Sequence, residues 1–74
     1  MFTNYIVVCS DGSIGLAGEL ILKPGDPAIN WYYVVQFGPD GPFTEYKSIE
    51  LRYATRKEIR EAGLEGVGCN APPR

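Results

Sequence analysis

The sequence has no histidine, two cysteines, one methionine and one tryptophan in 74 residues. Without histidine, the commonest general base near neutral pH and the commonest metal ligand are both missing. Two cysteines alone cannot complete a tetrahedral site within one chain, so no metal and no other cofactor is expected. Cys9 lies in a β-rich segment and Cys69 in a tail rich in glycine and proline, and the pair reads as two reduced thiols. Long apolar runs are also lacking. Ile6–Cys9 and Leu20–Leu22 fall far short of the about 20 residues that a membrane-spanning helix requires. The opening Met1–Phe2–Thr3–Asn4 carries no basic residue, and Asp11 follows the first apolar run too soon for a signal peptide, so a cytoplasmic location is expected.

The motifs of catalysis are scarce in the same way. There is no Gly-x-Ser-x-Gly elbow, no Gly-x-x-x-x-Gly-Lys phosphate loop and no carboxylate pair on adjacent strand positions. Gly12–Gly18 superficially resembles a dinucleotide fingerprint, but a β-rich run follows it where a helix is needed. Cys9 has no base to activate it. The expectation is a protein that is not an enzyme.

What the sequence does contain is a β pattern. Apolar residues make up 45% of the chain, with five Tyr, three Phe and one Trp, which is too much for a disordered segment. The pattern centres on Asn30–Phe37. At a period of two, Trp31, Tyr33, Val35 and Phe37 share one face and Tyr32, Val34 and Gln36 the other, as a strand lining a core requires. Before it, Tyr5–Cys9 reads as a strand closed by turn residues Ser10–Ser13. Gly15–Lys23 reads as a second strand, in which Gly15 and Gly18 permit a bend or a close backbone approach. After it, Gly38–Pro42 has hairpin-turn chemistry, Phe43–Tyr46 is a return strand and Lys47–Ser48 a turn or single 3₁₀ segment. Ile49–Tyr53 alternates, which assigns Ile49, Leu51 and Tyr53 to the core.

Thr55–Arg56–Lys57–Glu58 has the spacing of a capping box, with Ala54 and Ile59 at the staple positions. A helix is predicted from Arg56 to Ala62, ended by Gly63. The expected fold is therefore mainly β, a small SH3-like five-stranded partly open barrel with a short C-terminal helix, and Gly15–Leu16–Ala17–Gly18–Glu19–Leu20 resembles Tudor and KOW-type modules. Residues 1–64 form this domain and residues 65–74 a flexible tail. A core this small leaves little margin over chain entropy, which costs about 1.5 kcal/mol per residue, so a homodimer is an open expectation.

Two surfaces are candidates for function. Tyr32, Phe43 and Tyr46, with Asp40 at the rim, present aromatic groups beside the hairpin turn, suited to anchoring a protein interface. The second is electrostatic. Net charge is −2 overall, but residues 1–46 carry −4 and residues 47–60 carry +3. The basic set is Lys47, Arg52, Arg56, Lys57 and Arg60, and it meets the positive end of the helix dipole, a place that suits a nucleic-acid phosphate. The acidic pI of about 4.9 favours the first surface. The leading expectation is a small protein-interaction regulator or inhibitor, with nucleic-acid binding, DNA included, as the alternative.

Trp31–Val35, followed by Asp40–Gly41–Pro42, Tyr46 and Glu50–Leu51, resembles the hemimethylated-DNA-binding, heat-shock-protein-Q-like family. Tyr33 stands where that family has histidine, and the match covers residues 31–51. The resemblance implies an SH3-like barrel, and through it either DNA binding or an adaptor role in proteolysis.

Overall fold

The computed structural model describes residues 2–22, 24–27, 30–38 and 40–68. Five strands, β1 (Ile6–Cys9), β2 (Ile14–Ile21), β3 (Tyr32–Gln36), β4 (Phe43–Lys47) and β5 (Leu51–Tyr53), precede one helix, α1 (Arg56–Glu61). They form one antiparallel sheet in the order β4-β3-β2-β1-β5. The sheet is a meander whose last strand returns to the first, with a 3₁₀ turn at Ser48–Glu50 before it. This is the partly open, SH3-like barrel, with β4 and β5 as its two edges.

The period of two decides which side chains enter the barrel. Val7, Cys9, Ala17, Tyr33, Val35 and Leu51 are buried together, with Phe2, Leu20, Phe37 and Tyr46 packed around them. Gly15 belongs to this inner set because the chain passes very close to β3 there. A Cβ on Gly15 would stand 2.7 Å from the Gln36 carbonyl oxygen and 2.9 Å from the Phe37 ring, so the barrel can curl only if that position is bare. The register between β2 and β3 then shifts between Ala17 and Leu20, the irregularity through which the long strand bends. One end of the barrel is stoppered by aromatic rings. Phe2 lies 5.3 Å from Tyr33 and 4.8 Å from Tyr53, and the Phe2 N–H donates to Tyr33 Oη at 3.3 Å.

A second apolar cluster covers part of the outer surface. Ile6, Ala54 and Ile59 are buried with Val8, Ile14, Leu16, Leu64 and Val67 around them, so α1 and the residues after it lie on the outer face of β1 and β2. The helix starts as its spacing dictates. Thr55 Oγ1 accepts from the Glu58 N–H at 3.1 Å, and the Glu58 carboxylate accepts from the Thr55 N–H at 2.8 Å. It stops before Gly63, whose φ of 71° is the left-handed conformation that ends a helix at low steric cost.

Three expectations are corrected or relocated. Ile49, assigned to the core on β5, is 65% exposed, and β5 begins only at Leu51. The reason is local. Glu50 Oε1 accepts from the Lys47 N–H at 2.8 Å, which winds Ser48–Glu50 into a 3₁₀ turn and carries Ile49 out of the sheet. Trp31 lies just outside β3, half-buried, although Tyr33, Val35 and Phe37 do face the core. Of the region expected to be a flexible tail, Val67 packs on the outer cluster, whereas Cys69 and residues 70–74 lie outside the described residues, as do Met1, Lys23, Ala28, Ile29 and Pro39.

Candidate functional site

Because α1 covers the outer face over β1 and β2, the outer face of β3 and β4 has no layer on it among the described residues. The register puts three rows there: Leu16–Gln36–Phe43, Gly18 beside Val34–Glu45, and Ile21–Tyr32–Lys47. Along the first two rows runs a groove of about 340 Å³, lined by Leu16, Gly18, Glu19, Val34, Gln36 and Phe43 among others. Leu16 and Gln36 also line a second hollow of about 400 Å³ that ends on Leu64 and Val67, so the two depressions share a wall. Phe43, on the groove's edge, is 67% exposed. Three glycines, Gly18, Gly38 and Gly63, contribute backbone alone to these walls.

The four residues expected to form an aromatic surface do not all meet. Tyr32 and Phe43 share the outer face, and Asp40 lies exposed in the turn that leads into β4. Tyr46 points the other way. It pairs with Tyr33 across the sheet, meets the Phe37 ring at 6.2 Å and donates its hydroxyl to Asp11 Oδ2 at 3.0 Å. Asp11 Oδ1 in turn accepts from the Ser13 N–H at 3.0 Å, the turn chemistry expected at Ser10–Ser13. Tyr46 therefore tethers β4 to the β1–β2 turn across the barrel opening. Burial and the Asp11 bond push its phenol up to about 12, while the Ser13 and Tyr46 donors hold Asp11 below the usual carboxylate range. Cys9, free and buried beneath this pair, has its thiol pushed up by burial and by Asp11, which opposes the thiolate a nucleophile needs.

The basic set is also divided. Arg52, on the outer side of edge strand β5, forks onto Glu58 with Nη1 to Oε1 at 2.9 Å and Nη2 to Oε2 at 2.8 Å. Arg52 is thus committed to holding α1 on the barrel, and this bond with the capping amide of Thr55 brings Glu58 down to about 2. Arg60 approaches Glu65 at 3.9 Å. Lys47 belongs to the opposite edge, with Tyr32 as its cross-strand neighbour. Arg56 and Lys57 remain exposed on the first turn of α1.

Sequence reasoning missed the Asp11–Tyr46 tether and the Glu50 cap. The second had a signal, since Lys47 to Glu50 repeats the three-residue spacing of Thr55 to Glu58. Among the described residues no cluster of His, Cys, Asp and Glu is arranged to hold a metal, and no helix is long and apolar enough to cross a membrane. No protein family, curated protein or solved structure matches this chain.

Proposed function

We propose that this barrel is a non-enzymatic protein-binding module, acting as a regulator or inhibitor of the protein it contacts, and that it works in the cytoplasm. The observation that carries this reading is the half-covered outer face. The sheet has apolar outer residues along most of its width, yet α1 shields only those of β1 and β2. Over β3 and β4 a groove with Val34 and Leu16 at its base is left open, and Phe43 stands at its rim with no packing role in either apolar cluster. An exposed aromatic beside a concave apolar surface is the composition of an interface anchor. Glu19 in its wall and Glu45 beside Val34 favour a partner that brings basic residues.

The test is capture from a lysate of the native host on the immobilised chain, with elution in a salt gradient. A discrete protein is retained through high salt by the wild type, and Phe43→Ser and Tyr32→Ala each lose it while keeping the wild-type melting temperature. Nucleic-acid binding, the alternative, draws its support from Arg56 and Lys57. Material that elutes at moderate salt and depends on Arg56 and Lys57 would transfer the function to that reading.

A further inference from the structure

Among the described residues no strand pairs with the outer edge of β4, and the charges along it point to one occupant. Phe37 N–H donates to the Pro42 carbonyl and Ser48 N–H donates to the Trp31 carbonyl, at 3.1 and 3.0 Å. In an antiparallel ladder every second residue faces the partner strand, so Pro42, Thr44, Tyr46 and Ser48 turn their backbone groups to β3. Phe43, Glu45 and Lys47 consequently turn theirs outward, away from the sheet. The pairing of β3 with β4 runs without a bulge over all five residues of β4, and the strand contains no proline. Of the usual devices that protect an edge it lacks a bulge and an internal proline, and its protection rests on the charges of Glu45 and Lys47. The Lys47 N–H alone is occupied, by the Glu50 carboxylate.

We propose that the occupant of this edge is a second copy of the chain, paired antiparallel about a two-fold axis through Tyr46. In that register Glu45 of each copy lies opposite Lys47 of the other, giving two ion pairs on the outer face. Both residues are available, since the ion pairs among the described residues are Arg52–Glu58 and Arg60–Glu65. Each Glu45 N–H meets the Lys47 carbonyl of the second copy, and the Lys47 N–H stays on Glu50. The same register carries each Phe43 toward the 3₁₀ turn of the second copy, where Ile49 is also exposed. Shifting the axis by one residue to Glu45 sets the two Glu45 carboxylates opposite each other, which repels. Shifting it to Phe43 pairs two aromatic rings but leaves all four charges unmatched.

Sedimentation equilibrium of the full chain from about 10 μM to about 1 mM tests this. The wild type should show a monomer–dimer equilibrium. Glu45→Lys, which sets like charges against each other twice, should weaken the dimer by about tenfold or more. The double variant Glu45→Lys/Lys47→Glu restores opposite charges in the same register and should return the constant to within about threefold of wild type. Unchanged circular dichroism in each variant excludes unfolding as the cause. A chain that stays monomeric at the highest concentration overturns the proposal. So does a dimer indifferent to the single swap, or one that the double swap fails to rescue. No outside partner enters the measurement, so failure of the dimer and failure of the groove reading are distinguishable, although Phe43 belongs to both surfaces.

Discussion

Tyr46 does at the scale of one residue what a longer strand would do for a closed barrel. Its ring covers Phe37 on the inner side, and its hydroxyl reaches Asp11 in the turn between β1 and β2. The gap between β4 and the β1–β2 turn is thereby bridged by a side chain. Tyr46→Phe keeps the ring and removes the bond, leaving Asp11 with its Ser13 contact, and is expected to lower the melting temperature. The phenol also gives the bond a signature in pH. Its value is raised from 10.0 to about 12, so its contribution is fully present below pH 10.0 and is lost as pH rises toward 12. Urea unfolding midpoints of wild type and Tyr46→Phe should converge across that interval. Tyr53, also raised by burial, leaves the variant with a remaining alkaline decline.

At the scale of elements, the decisive member is α1, which is six residues long and so cannot stand alone. Three attachments hold it: the Thr55 cap, the Arg52–Glu58 fork and the burial of Ile59 against Ile6 and Ala54. Ile59→Ala empties the centre of the outer cluster and should cost about 2–5 kcal/mol. Thr55→Ala removes a cap worth about 1 kcal/mol. The ranking, Ile59 well above Thr55, is checked by urea denaturation of the two variants. Losing α1 would also bare Leu16, so the hollow it shares with Leu64 and Val67 depends on the helix being in place.

Across the whole molecule the ionisable contacts define a range of stability. Glu58 is lowered from 4.5 to about 2, first by Arg52 and then by the Thr55 amide, and Asp11 is lowered by Ser13 and Tyr46. A carboxylate with a depressed value stabilises the fold above its ordinary range and loses that contribution as protons bind. Stability should therefore be level from about pH 5 to about pH 9, below the alkaline losses of Cys9 and the tyrosines, and fall as pH drops from 4.5 toward 2. Glu58→Gln, measured by thermal unfolding over that interval, should be less stable at neutral pH and show a shallower acid decline. At this scale too, the protein's basic residues are spread over separate elements. Arg52 is engaged on β5, Lys47 stands on β4, and Arg56 and Lys57 lie on the helix.

Local signals were legible in the chain because each depends on a few neighbouring residues. The alternation around Tyr33 and Val35 determined the central strand, Thr55 to Glu58 the helix start, and Gly63 its end. The glycines of β2 marked a close approach, which proved to be Gly15 against Gln36 and Phe37. Alternation failed at Ile49, where a single carboxylate bond from Glu50 overrode the period of two. What only the tertiary structure decided is which of the two faces of the sheet is covered, and how far. Tyr46 and Phe43 stand three residues apart and read alike as exposed aromatics, yet one closes the barrel and the other lies open beside the groove. Arg52 and Arg56 read alike as basic, yet Glu58 takes one of them. Such choices rest on contacts between residues distant in sequence, which a pattern of near neighbours does not encode.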